Sequence, residues 1–322
     1  MSAPSTALTN RSAATGRQFR IARGGSGAVV AELAATLRSF EMGAVLLTET
    51  FGDGDIPPGA TGITLAPWAN RIEAGRWTLD GKVQQLDITE PSRGNASHGL
   101  LRNTGYTVLD AADDRVSLEA VVFPQHGYPF LVRHRVDYAI DDDGGLRVRQ
   151  TLANDSSRPA PFVLGAHPYL RLGDVPTGDL TLTVHASTRL VADERLIPRE
   201  TAPAEGEWDL SAGRTVADLA IDAAYTDLAF GPAFPSDAGS SGERARARAT
   251  LTAPDGRSVW LWQDERCRYT HVFVTRTFPG REVAVALEPQ TGPADAFNSG
   301  IDLGWIDPGK EASMEWGIGA SL

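Results

Sequence analysis

The sequence is poor in cysteine, in positive charge and in long apolar runs, and each shortage excludes a class of protein. Its single cysteine, Cys267, allows neither an intrachain disulfide nor a cysteine-based zinc site. A reducing, cytoplasmic location is the expectation. The 30 Lys and Arg set against 41 Asp and Glu give a formal net charge of -11, which disfavours nucleic acid and anionic membrane as partners because both attract a basic patch. No apolar run approaches the roughly 20 residues of a membrane-spanning helix. The opening MSAPSTALTNRSAATGRQF lacks the basic-then-apolar order of a secretory signal, and residues 1–17 read as a flexible tail. No repeat of fixed period is present.

What is there points to an all-β protein. With 42% hydrophobic residues a sizeable core is possible, and all-β chains of this length often form one unit, so 1–322 reads as a single domain. Residues 115–123, 130–140 and 146–152 are rich in β-branched or aromatic side chains and bounded by turn formers, as antiparallel strands are. Asp141-Asp142-Asp143-Gly144-Gly145 and Pro254-Asp255-Gly256 are hairpin turns. Residues 180–184, 270–274, 283–287 and 312–318 continue the pattern. Many strands with few short helices imply a large antiparallel β-sandwich. Residues 28–50 suit an Ala-rich helix as well as two strands broken at Gly43. Residues 232–242, PAFPSDAGSSG, read as a surface loop.

One stretch, 65–102, concentrates polar side chains at the rims of short strands: LAPWANRIEAGRWTLDGKVQQLDITEPSRGNASHGLLR. Within it Asp80-Gly81 turns a hairpin whose apolar anchors are Trp77, Leu79, Val83 and Leu86. Rims are where loops aim binding groups. Asn70 precedes Arg71, whose planar fork suits two neighbouring hydroxyls or a carboxylate, and equally an ordinary salt bridge. His98 precedes Gly99, which permits close approach of backbone or ligand. Glu288 closes a run in which Val283, Val285 and Leu287 share one strand face and Ala284, Ala286 and Glu288 the other. It is read either as a surface strand end or as the carboxylate of a pocket. His167 precedes Pro168, which restricts its backbone to extended geometry, and it suits a proton donor or a structural hydrogen bond. Asp222, three residues before Tyr225, is a turn cap or a clamp on a sugar. His126, His134, His185 and His271 receive a structural reading and no function.

Taken together these segments resemble the aldose 1-epimerase family, also called galactose mutarotases. Pro67-Trp68-Ala69-Asn70-Arg71-Ile72 is similar to the family's Asn-Arg segment, Asn95 to Leu100 to its His-Gly segment, Gly165 to Tyr169 to its second histidine, and Glu288-Pro289 onward to its glutamate. Their order matches as well. The resemblance implies a large antiparallel β-sandwich with a sugar site on its concave face, and it favours strands for 28–50. It further implies that Glu288 is the base at the C1 hydroxyl of an aldose, His167 the acid at the ring oxygen and His98 an assistant. Asn70, Arg71, Asp222 and Tyr169 would bind the sugar, with Asp227 the alternative to Asp222. The implied substrate is a free hexose such as glucose or galactose, with no cofactor and no metal, and the implied assembly a monomer or weak homodimer.

Rival readings remain open at this point. Asp222 and Glu288 could serve a glycosidase, which needs two carboxyl groups across the scissile bond. Trp68, Tyr169 and Phe297 could stack sugars in a non-catalytic binding module. An epimerase of phosphorylated hexoses is a closer rival, although no extra basic cluster adjoins the motifs. A metal held by His98, His167 and Glu288 is disfavoured by the lack of a short His-x-His pair.

Overall fold

The computed structural model describes residues 13–231 and 245–322, so the expected surface loop at 232–242 lies outside the described residues. Within the expected tail, residues 13–17 are packed and not frayed. Thr15 is buried, its carbonyl accepts from the amide of Leu33, and the amide of Ala14 donates to Asp53.

Alternating side chains and turn-forming residues produce two large antiparallel sheets among the described residues. One has nine strands, ordered Thr107–Ala112, Arg115–Val122, Val132–Ile140, Leu146–Asn154, Glu311–Ser321, Ser258–Asp264, Arg246–Thr252, Thr181–Val184 and Arg214–Thr215. The other runs Pro198–Pro203, Ala186–Ala192, Asp222–Leu228, Tyr269–Thr275, Ala284–Gln290, Gly165–Ala166 and Thr64–Leu65, with Tyr169–Leu170 also pairing Ala284–Gln290. Residues 28–50 are strands. Ser26–Ala31, Thr36–Met42 and Val45–Leu46 join Gln18–Arg23 in a smaller sheet, turning at Gly43 in the left-handed region. The one α-helix among the described residues is the single turn Ala296–Ser299.

The period-2 pattern explains which face is dry. Val136, Tyr138, Val148, Leu152, Trp316 and Ile318 of the nine-stranded sheet fall in one buried cluster with Tyr225, Val272, Val285 and Leu287 of the other. This is the core of a sandwich. In the Arg76–Leu79 and Lys82–Gln85 hairpin, Asp80 and Gly81 both take positive φ, as a tight two-residue turn requires. Trp77, Leu79 and Leu86 are buried as expected, but Val83 is 65% exposed. It pairs with Thr78 on the outer face, because alternation from Trp77 leaves only every second position for the core.

A polar relay crosses the core between the sheets. Tyr106 Oη lies 2.7 Å from His134 Nδ1, His134 Nε2 lies 3.1 Å from Gln150 Oε1, and Gln150 Nε2 donates to the Gly165 carbonyl at 3.0 Å. All four residues are buried. Burial pushes the His134 imidazole down from 6.5 to about 4, so it is neutral, taking a proton from Tyr106 and giving one to Gln150. The sign of the linkage follows. The folded value lies below the unfolded one, so the stability is complete above about pH 6.5 and is lost as pH falls towards about 4, amounting to about 3 kcal/mol. Urea unfolding across that range is expected to show a steeper slope in the wild type than in His134→Gln, the remainder coming from the other buried imidazoles, His98 and His167. Identical slopes in the two proteins would exclude the relay as its source.

Candidate functional site

Strand register brings the site together. Ala284–Gln290 lies between Tyr269–Thr275 on one side and the broken pair Gly165–Ala166 and Tyr169–Leu170 on the other. His271 is the direct cross-strand partner of Glu288. On the other edge Gly165 pairs with Gln290 and Tyr169 with Ala286, which sets His167, between them, opposite Glu288. The carboxylate therefore has an imidazole on each flank. His167 is held by its backbone, donating to Ile63 O at 3.0 Å and accepting from Gly62 N at 2.8 Å. Its Nε2 stands 3.2 Å from Glu288 Oε1, while Gln290 Nε2 donates to Glu288 Oε2 at 2.9 Å. Glu288 is 1% exposed, which rules out the reading as a surface strand end.

His98 arrives from the loop that follows Ala96–Ser97. Its φ is +62°, its amide donates to Asn70 O at 2.8 Å, and its ring meets that of His167 edge-on with centroids 5.5 Å apart. Gly99 serves close backbone approach, since a Cβ there would lie 2.0 Å from Ala66 O. Asn70 also has positive φ, at +51°. Its Nδ2 lies 3.4 Å from His271 Nδ1, and His271 Nε2 lies 2.8 Å from Asp222 Oδ1. Asp222 sits diagonally across the sheet from His271, whose direct partner is Ala224. Arg71 joins the same pocket wall as Asn70, Asp222 and His271, with its Nε and Nη2 donating to Glu90 at 2.8 and 3.0 Å.

The three imidazoles differ in proton affinity. Burial pushes His98 well below an ordinary imidazole, with His167 and nearby arginines acting in the same direction. Burial also lowers His167, against a smaller opposing pull from Glu288. For His271 burial opposes charge, yet Glu288 and Asp222 outweigh it and raise its affinity for a proton. Burial opposes charge on Asp222 too, and the bond from His271 overcomes that and lowers its pKa. Nδ1 of both His98 and His167 is buried without a partner.

Asn70, Arg71, His98, His167, Asp222 and Glu288 thus lie together in one cluster. Tyr169 stands differently. Its ring stacks on His167 with centroids 5.2 Å apart and its hydroxyl donates to Gly59 O at 3.1 Å, so it backs the imidazole. Asp227 is exposed and accepts from Thr188, away from this cluster. The purely structural reading of His271 needs correction, because its ring links Asp222 and Asn70 beside Glu288. Its signal was its place two residues into the strand paired with the Glu288 run. Gln290 and Glu90, which hold Glu288 and Arg71, were also passed over. The structural reading of His134 stands. Trp68, Tyr169 and Phe297 are 2%, 1% and 6% exposed, so none of these three offers the open aromatic face that the binding-module reading asked of them. A larger hollow beside Arg23, Asp142 and Trp262 is lined by groups engaged with one another, as in the Arg23–Asp142 ion pair.

Comparison with known proteins agrees with this geometry. Residues 17–318 match the family described as Aldose 1-epimerase. The chain is 27% identical over 313 residues to the uncharacterized protein YihR of Escherichia coli K12, covering 94% of this chain and 93% of that protein. It is 33% identical over 148 residues to the galactose mutarotase of Sus scrofa, covering 43% and 41% of the two chains. The fold is shared with a galactose mutarotase-like protein of Clostridium acetobutylicum at TM-score 0.80 and 18% identity over 94% of each chain. It is shared also with a putative aldose 1-epimerase of Escherichia coli K12 at TM-score 0.79 and 17% identity, over 95% of this chain and 99% of that one. With the family spanning nearly the whole chain, the protein belongs to the aldose 1-epimerase family and is an isomerase of that kind.

Proposed function

We propose that this protein interconverts the α and β anomers of a free hexose such as glucose or galactose. The observation that carries the reading is the buried 3.2 Å approach of Glu288 Oε1 and His167 Nε2, one carboxylate and one imidazole facing each other. Ring opening needs a proton to leave the C1 hydroxyl as another reaches the ring oxygen. In the working form Glu288 is the carboxylate and His167 the imidazolium. Glu288 accepts the C1 hydroxyl proton, the C1–O5 bond breaks as C1=O forms, and His167 Nε2–H protonates O5. The burial that lowers His167's proton affinity makes its cation a stronger acid than free imidazolium. Rotation about C1–C2 and reversal of both transfers give the other anomer.

Asn70, Arg71 and Asp222 hold the remaining hydroxyls, His98 assists at the sugar oxygens, and Tyr169 fixes the plane of His167. No metal or cofactor enters the scheme. Polarimetry on freshly dissolved α-glucose is expected to show loss of about 10²- to 10⁴-fold in turnover for Glu288→Gln and for His167→Asn, with circular dichroism unchanged. Near-wild-type rates in either folded variant would exclude that residue from proton transfer.

The choice of a free over a phosphorylated hexose rests on charge. Arg71 and Arg93 are both engaged with the Glu90 carboxylate, and the acids Asp222 and Glu288 face the same cluster, so a phosphate there would have to compete with carboxylates. Glucose is therefore expected to exceed glucose 6-phosphate in kcat/KM by about tenfold or more, the scale of one lost charged contact. Equal or reversed preference would overturn the substrate class while leaving the chemistry in place.

A further inference from the structure

His271 lies between two of the proposed sugar-holding groups and commits one ring nitrogen to each. Nε2 faces Asp222 Oδ1 at 2.8 Å and Nδ1 faces the Asn70 side-chain amide at 3.4 Å. The carboxylate only accepts, so Nε2 carries a hydrogen whether the ring is neutral or charged. Nδ1 is the nitrogen that changes. Neutral, it is a lone pair and takes an N–H from Asn70 Nδ2; charged, it is an N–H and requires Asn70 Oδ1. Asn70 is 3% exposed and its carbonyl is fixed by the His98 amide, so the side chain answers by turning its amide over about its own axis.

We propose that protonation of His271 decides which end of the Asn70 amide faces the sugar, making the Asp222–His271–Asn70 relay a pH-dependent reader of substrate hydroxyls. This rests on the anomer-exchange reading and assigns His271 as a positioning residue within it. With the ring charged, Asn70 presents its NH2 beside the Asp222 carboxylate. A hydroxyl that gives its proton to Asp222 then receives one from Asn70. With the ring neutral, two acceptors confront the sugar and one contact is lost.

The groups facing His271 are Asp222 from Asp222–Leu228, Glu288 from Ala284–Gln290, Arg71 from Arg71–Ile72, and the imidazoles of His98 and His167. The two carboxylates prevail over burial and over Arg71 and raise the change above that of an ordinary imidazole. Affinity is thus present below that change and lost as pH rises through it.

Two measurements test the relay. In the sugar-free protein, nitrogen-15 spectra are expected to show the Asn70 side-chain NH2 signal, identified by its absence in Asn70→Ala, shifting with the same midpoint as His271. In wild-type polarimetry KM for the sugar is expected to rise about tenfold across that midpoint. In His271→Gln, whose side chain does not titrate, the rise is absent. An Asn70 signal indifferent to the His271 titration, or a KM rise preserved in His271→Gln, would overturn the proposal. Absence of mutarotation at every pH would instead sink the anomer-exchange reading, and the spectra of the wild type would still decide the relay. The spectra serve equally if His271→Gln fails to fold.

Discussion

The structure depends on seating one carboxyl side chain, that of Glu288, in a place almost without water. Taking a carboxylate out of water costs several kcal/mol even after relaxation, and the cost is offset only where its oxygens meet donors or positive charge. Glu288 meets these terms through the sheet. Oε2 is capped by Gln290 from two positions along the same strand, Oε1 faces His167 from the break between the two short strands on one side, and His271 stands abreast on the other. Because side chains two apart share a face and cross-strand partners lie about 5 Å apart, register alone puts an amide and two imidazoles around the carboxylate. A slip of one residue in any of the three strands would turn a member of this set into the core.

The turns that bring Asn70 and His98 to that row have no such freedom. Both residues take positive φ, which for a side chain other than glycine is strained and persists only where surroundings over-determine it. Here the surroundings are specific. Arg71 pairs with Ser97 and Ile72 with Ala96, so the two turns are the ends of one short ladder, and the His98 amide is tied to Asn70 O. Gly99 lets the second turn close against Ala66, where a methyl group would collide with the carbonyl. The strain thus aims two polar side chains while the ladder fixes the distance between them.

The parts legible in the sequence were those carried by local pattern. Alternation between 115 and 152 and at the C-terminus gave strands close to their observed bounds, and the Asp80-Gly81 turn behaved as its residues require. The opposite faces of Val285 and Ala286 followed from period alone, one packing into the main core and the other beside Tyr169. Segment 28–50 was ambiguous because alanine suits a helix, and pairing with Gln18–Arg23 decided the matter from outside the segment. His271 was hidden for a related reason. Its flanks, Thr270 and Val272, read as any buried strand does, and its role comes from partners 49 residues back, in Asp222, and 201 back, in Asn70. No local pattern carries contacts of that span. The placing of Tyr169 behind His167 is likewise a matter of distant partners, since its hydroxyl is engaged by the carbonyl of Gly59, 110 residues back.

The same logic links the far sheet to the site. Gly165 belongs to the short strand that must stay in register for His167 to face Glu288, yet with one residue following it in that strand its ladder is brief. Its carbonyl is taken up by Gln150, from the opposite sheet, which is held in turn by His134 and Tyr106. Proline at 168 brings no amide to the ladder, so the segment relies on the backbone bonds of His167 with Ile63 and Gly62 and on this contact from the opposite sheet. The buried relay supplies a fixed point from across the core. Interior polar groups are expensive unless every member is satisfied, and these are satisfied in a chain ending two residues from the proposed acid. The core of this sandwich therefore does more than exclude water: it adds a fixed point to the register on which the proposed proton transfer relies.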